Sequence, residues 1–231
     1  MAGVAGPTAY MAYLNENPRE WTVLDGLCTV SISRFYRDRA VFDCLRDTVL
    51  PELAAYAAAQ TDPTVRCWSA GCASGEEPYT LSLMWGQCVH VRYPLADLAI
   101  VATDVDTCLL DRARVGCYSS SSLRELPQSW IAQAFLRRDD AYCLRDGWKS
   151  CVEFRQQDVR IEQPPGPFDL VFCRNLVFTY FDAPSQRSML SRLTRQVRTN
   201  GFLVVGRHEL LPPGGPFLPC PPGLGIYRRA P

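Results

Sequence analysis

Short apolar runs closed by turn residues recur along the chain at 65–69, 98–102, 151–154, 168–173 and 202–206, with helix-like stretches between most of them. A run this short, bounded at both ends, reads as a buried strand, and strands alternating with helices predict an α/β domain. In the stretch 41–58, Val41, Leu45, Val49 and Leu53 stand four apart and share one helical face, with Pro51 placed to kink the helix. In 184–197, Met189, Leu190, Leu193 and Val197 form a second apolar stripe, and Asp182 stands where an N-cap is needed. Both stripes are core contacts. The tail 211–225 is rich in Pro and Gly, and Ile226-Tyr227-Arg228 beyond it reads as a closing antiparallel strand reached by an irregular loop. Only 117–146 breaks the alternation, with a serine run, a short helical stretch around Trp130 and a charged patch.

Composition narrows this picture. The 231 residues carry 24 basic and 24 acidic side chains, enough chain for one sizeable core and no charge excess to attract nucleic acid or an anionic membrane. No apolar run approaches the roughly 20 residues that span a bilayer, and Met1-Ala2-Gly3-Val4 lacks the basic and apolar regions of a signal peptide, so a cytoplasmic location without membrane insertion is expected. The eleven cysteines are odd in number, and Cys67, Cys151 and Cys173 fall in or beside strand-like runs, so they read as reduced packing residues. There is no C-x-x-C pair and the only histidines are His90 and His208, so no metal site is expected.

The chemistry concentrates where the first strand ends, at Trp68-Ser69-Ala70-Gly71-Cys72-Ala73-Ser74-Gly75-Glu76-Glu77-Pro78-Tyr79. Gly71 and Gly75 let the backbone turn tightly and approach a ligand. Glu76 and Glu77 in the following first turn would repel a polyphosphate, so a cationic, ribose-bearing ligand fits better. Asp104 follows the second strand, where an open α/β sheet places an acid for ribose hydroxyls; Asp106, two residues on, suits a helix cap. Arg174-Asn175 closes the fourth strand, again at a carboxyl end where ligands sit.

The first of these segments resembles the first motif of the CheR-type S-adenosylmethionine methyltransferases, which methylate glutamates of chemoreceptors. Four further segments follow the same family's pattern: Ser33-Arg34-Phe35-Tyr36-Arg37-Asp38, Ala102-Thr103-Asp104-Val105-Asp106-Thr107, Phe168-Asp169-Leu170-Val171-Phe172-Cys173-Arg174-Asn175 and Gly201-Phe202-Leu203-Val204-Val205-Gly206. The resemblance runs from about residue 10 to the C-terminus. It implies a class I methyltransferase, Rossmann-like fold: a seven-stranded, mostly parallel sheet with one antiparallel strand and helices on both faces.

The resemblance also implies roles. Asp104 would be the ribose acid, Glu77 the cofactor-contacting carboxylate, Asp158 with Val159 the adenine partners, and Gly71, Arg174 and Asn175 further lining of the pocket for S-adenosyl-L-methionine. Ser31, Ser33 and Arg37 match an upstream pattern close to N-x-T-x-F-F-R, with Ser31 in place of Asn. Arg37 would hold an acceptor carboxylate and Tyr180 would face the transferring methyl. Tyr180 follows Asn175 at a spacing one residue longer than the family's R-N-(x)3-Y-F-D, an insertion that turns a side chain by about 100° if helical. The tail motif Gly206-Arg207-His208-Glu209 departs from G-H-S-E, and His208 reads as a packed surface residue rather than a base.

By the same resemblance, residues 1–27 are the vestige of an N-terminal helical segment, 28–231 the methyltransferase domain, and 117–150 a small inserted subdomain. The expected reaction is methyl transfer to a protein glutamate. A methyltransferase acting on a small molecule or a free amino-acid derivative is the alternative, because the front segment is short and the tail motif departs, and a non-catalytic cofactor-binding module is the third reading.

Overall fold

The computed structural model describes residues 6–17, 20 and 33–231. The chain divides into two compact units, Met1–Ile32 and Ser33–Pro231. In the first, a helix spans Pro7–Glu16 and ends at Asn17, whose backbone N–H and side-chain amide both donate to the Tyr13 carbonyl, at 3.0 and 2.9 Å. Of the expected helical vestige 1–27, residues 1–5, 18–19 and 21–27 lie outside the described ones, as does Ser31.

The second unit is built on strands β1 (Thr64–Ala70), β2 (Asp97–Asp104), β6 (Val152–Gln156), β7 (Phe168–Phe172), β8 (Val197–Val204), β9 (Phe217–Pro219) and β10 (Ile226–Arg229). They form one seven-stranded sheet in the order β6-β2-β1-β7-β8-β10-β9. Pairing is parallel from β6 through β8, and β10 runs antiparallel to both its neighbours. This is the expected class I methyltransferase sheet with one reversed strand, and the closing strand is the one the tail pattern predicts.

The central strands are buried on both faces, as parallel strands covered by helices must be. Trp68, Phe168, Phe172 and Phe202 are fully enclosed. Trp68 keeps its indole N–H satisfied by donating to Thr103 Oγ1 at 3.0 Å, which cross-links β1 to β2 at the end where the site lies.

The helix predicted over 41–58 begins at Arg39 and runs to Ala58, with a π-helical turn at Leu45–Val49. That wider turn ends two residues before Pro51, which has no N–H for an α-helical bond, so the chain widens instead of breaking. The later helix spans Ala183–Gln196, and Asp182 caps it by accepting from Ser185 N–H at 2.9 Å.

Strands β3 (Cys117–Ser119), β4 (Phe135–Arg138) and β5 (Ala141–Leu144) form a separate antiparallel sheet in the order β3-β5-β4. Here the reading of every cysteine as a reduced packing residue fails, because Cys117 and Cys143 face each other across β3 and β5 and are bonded as a disulfide. The cysteines of the main sheet do behave as packing residues: Cys67 and Cys173 are buried free thiols, and burial raises the pKa of both.

Candidate active site

The sheet order reverses at β1, so its connection to β2 and the one following β7 leave in opposite directions and open a crevice at the carboxyl edge. Three loops meet there. The first, after β1, is shaped by glycine. Gly71 has φ 72°, and a Cβ there would lie 2.8 Å from Leu176 Cδ2; Gly75 has φ 89°, and a Cβ there would lie 2.9 Å from Ala113 Cβ. Any other residue at either place meets both a strained backbone and an occupied space. The amides of Gly71 and Cys72 converge on the Thr103 carbonyl, at 2.8 and 3.0 Å, tying this loop to the end of β2.

The second loop carries Asp104 and Asp106, whose roles separate cleanly. Asp106 is the N-cap of the helix Thr107–Val115, accepting from Cys108 and Leu109 N–H at 2.8 and 3.2 Å. Asp104 instead accepts from Ala73 N–H at 2.8 Å and Asp106 N–H at 3.0 Å, one bond to each oxygen, while its residue lines a cavity of about 170 Å³. Each carboxylate oxygen can accept more than one bond, so both remain open to a further donor.

Four of the sequence-predicted residues, Gly71, Asp104, Asp158 and Val159, line this one cavity, together with Thr103, Val105, Leu176 and Phe181. Val159 is buried and supplies an apolar wall. Asp158 is gripped by Arg160, which donates Nε and Nη2 to the carboxylate at 2.6–3.0 Å and its own N–H at 2.9 Å. The side-chain bonds to Arg160, ahead of the partial burial that opposes them, hold the Asp158 carboxyl below the usual carboxylate range.

The third loop brings in Arg174, whose side chain is 5 % exposed. It donates Nη1 to Glu77 at 3.1 Å and Nη2 to Asp38 at 2.5 Å, and its guanidinium lies 5.2 Å above the Phe42 ring. Its Nε is buried without a hydrogen-bond partner. Glu77, 15 % exposed, also accepts from Ser69 Oγ at 2.7 Å. Glu76 turns away from this group: it is buried and receives the Ser74 hydroxyl on both oxygens at 3.0 Å.

Asn175 has φ 51° and is fixed through its backbone, since its N–H donates to Glu209 at 2.9 Å. Glu209, 6 % exposed, also accepts from Gly206 N–H and from the Thr179 hydroxyl, both at 2.5 Å. His208 beside it is solvent-exposed, so the packed reading does not hold; the packed member of that turn is Glu209. Ser33 is half-buried and Arg37 is exposed at the surface of the loop before the helix that starts at Arg39, and the Arg37 carbonyl accepts from Arg174 at 3.3 Å. Tyr180 ends the short helix Val177–Tyr180 at 73 % exposure and lies outside the cavity, where Leu176 and Phe181 take the lining positions.

Glu209, Asp38 and Leu176 escaped the sequence reading. Each lies inside or beside a recognised motif, but its partner comes from a distant segment. Among the described residues no cluster of His, Cys, Asp and Glu could hold a metal ion, and no helix is long and apolar enough to cross a membrane.

Residues 31–216 match the S-adenosylmethionine-binding domain of the CheR methyltransferases. A chemotaxis protein methyltransferase of Listeria monocytogenes is 33 % identical over 79 % of this chain, which spans 66 % of that protein's length. Chemotaxis protein methyltransferase 1 of Pseudomonas aeruginosa is 33 % identical over 89 % of this chain and 76 % of its own. Among solved structures, a TehB-like S-adenosylmethionine-dependent methyltransferase of Corynebacterium glutamicum aligns over 84 % of this chain and 72 % of its own, at 14 % identity and a TM-score of 0.38.

Proposed function

The chain belongs to the CheR methyltransferase family, and from that premise we propose that it transfers a methyl group from S-adenosylmethionine to a glutamate carboxylate of a protein, forming a methyl ester. The observation that carries this reading is the meeting of Gly71, Asp104, Asp158 and Val159 in one cavity at the carboxyl edge of the sheet. They are the residues that a ribose and a purine would need.

The donor set suits that cofactor. Asp104 keeps acceptor capacity for two ribose hydroxyls, and Val159 and Phe181 offer apolar surface to a ring. Glu77 supplies negative charge for an ammonium or sulfonium, and the buried Arg174 Nε still lacks an acceptor of the kind a carboxylate provides. When bound, the cofactor supplies a methyl carbon activated by the neighbouring positive sulfur.

An acceptor carboxylate is already a nucleophile, so no side chain has to take a proton. What the chain contributes is alignment and the exclusion of water, which favours a step in which opposite charges neutralise one another. Arg37 is the residue assigned to the acceptor: a planar guanidinium can hold one carboxylate oxygen and leave the other to attack. A cytoplasmic location and a protein acceptor fit this reading.

Incubation of the chain with methyl-labelled S-adenosylmethionine and a purified cytoplasmic fragment of a chemoreceptor tests it. The expected result is label on the fragment that is released by base, and an Arg37→Ala chain that turns over about a hundredfold more slowly while its affinity for S-adenosylhomocysteine changes less. Label found only in small molecules overturns the protein acceptor.

A further inference from the structure

Arg37 stands between two non-glycine residues in left-handed backbone, Tyr36 with φ 57° and Asp38 with φ 64°. Such conformations persist only where the surroundings over-determine them, and they gather at sites where a side chain must be aimed. Both anchors can be named. On one side, Tyr36 N–H donates to Thr80 Oγ1 at 3.1 Å, and the Tyr36 ring is buried against Phe42 and Trp130. On the other, the Arg174 guanidinium takes both the Asp38 carboxylate at 2.5 Å and the Arg37 carbonyl at 3.3 Å.

The Asp38 side chain makes no capping bond to the helix that begins at Arg39, although it occupies the N-cap place. Its carboxylate is turned to Arg174 instead. The same guanidinium reaches Glu77, on the helix that follows the first loop, so one buried cation joins the loop of Arg37 to the carboxylate assigned to the cofactor.

We infer that Asp38 is a positioning residue for methyl transfer: through Arg174 it fastens the Arg37 loop to Glu77 and fixes Arg37 toward the acceptor. This rests on the proposed function for the role of Arg37, whereas the fastening itself does not. Because the Arg174 side chain is enclosed, removing the charge of Asp38 leaves a buried cation with one carboxylate fewer and loosens its tie to the Arg37 loop.

Asp38→Asn is the informative variant, because Asn tolerates left-handed backbone as Asp does and keeps the side chain's size while removing the charge and one acceptor oxygen. Two measurements are made on the full chain. Amide exchange followed by mass spectrometry is expected to be about fivefold faster or more in segment 34–42, with segment 64–70 unchanged. Turnover with methyl-labelled S-adenosylmethionine and the chemoreceptor fragment is expected to fall about tenfold or more, with the Kd for S-adenosylhomocysteine within about threefold of the parent.

Wild-type exchange rates in 34–42 overturn the inference, and so does a loss of turnover matched by an equal loss of cofactor affinity. If the parent chain labels no protein, the proposed function fails, and the exchange measurement still decides whether Asp38 fastens the loop.

Discussion

Glu209 accepts the backbone N–H of Asn175 at 2.9 Å, a bond between a turn after β8 and the loop after β7 that lie 34 residues apart in the chain. With Gly206 N–H and the Thr179 hydroxyl on the same carboxylate, one enclosed acid closes the rim of the site. Glu209→Ala would strand three donors, two of them backbone amides. It is expected to lower stability by about 2–4 kcal/mol, the cost of leaving buried partners of a charged acceptor unpaired. Urea denaturation checks this, and a loss under about 1 kcal/mol would mean that water replaces the carboxylate.

Leu176 occupies the space that a side chain at position 71 would need, with its Cδ2 at 2.8 Å from an added Cβ. Gly71→Ala therefore has to push Leu176, which itself lines the cavity. Calorimetry with S-adenosylhomocysteine is expected to show about a tenfold weaker Kd, and adding Leu176→Ala should recover much of it by vacating the space. Left-handed strain at φ 72° remains in the double variant and keeps its stability about 1–2 kcal/mol below the parent.

Asp104 and Asp106 differ in the measurement they should move. Asp104→Ala removes the acceptor for Ala73 N–H as well as any bond to the ligand, so affinity for S-adenosylhomocysteine should weaken by about 1.5–3 kcal/mol. Asp106→Ala removes a helix cap and should cost about 1 kcal/mol of stability with affinity unchanged. The opposite pattern in paired calorimetry and thermal unfolding would exchange the two roles.

The contrast between these residues shows what was readable along the chain. Asp106 caps a helix that starts one residue later, and Gly71 serves a turn made by its own neighbours, so local spacing suffices for both. Strands of the type of Val65, Cys67 and Leu170 announce themselves by burial on both faces, which fixes an apolar run regardless of pairing. The partners of Glu209 and Asp38 are brought together only by the sheet order; Asp38 meets Arg174 across 136 residues. No spacing encodes that meeting. Cys117 and Cys143 are joined by strand register in the small sheet, and register is invisible until the hairpin of β4 and β5 is known. Only the motif points to Tyr180, and the extra residue after Asn175 is where the motif's spacing stops being a guide to direction.

Burial also sets how the fold should respond to alkali. Desolvation pushes the Cys173 thiol up to about 12, against about 8.5 in an unfolded chain. The folded state thus keeps a proton that the unfolded state loses, so the stability this confers is whole below about pH 8.5 and declines as pH rises toward 12. Cys67 and Cys72, raised in the same direction by burial, add to the slope. Urea midpoints should fall steadily between about pH 8.5 and 10.5, and Cys173→Ala should flatten that dependence by about one proton. An unchanged slope in the variant would show that this thiol does not carry the effect.

Tyr180 offers a test of where the acceptor arrives. At 73 % exposure and outside the cavity, its ring has no contact to give a small ligand enclosed beside Asp104, but it is open to a protein approaching over the rim. Tyr180→Ala should leave the Kd for S-adenosylhomocysteine within about twofold, because no lining atom of the cavity is removed. With the chemoreceptor fragment as acceptor, kcat/KM should fall by about tenfold or more, since the ring's contribution appears only when the acceptor is docked. A Tyr180→Ala chain with unchanged kinetics would assign the residue to the surface. One that loses cofactor affinity would mean that the ring turns inward when the ligand binds, and would place Tyr180 beside Leu176 and Phe181 in the wall of the cofactor site.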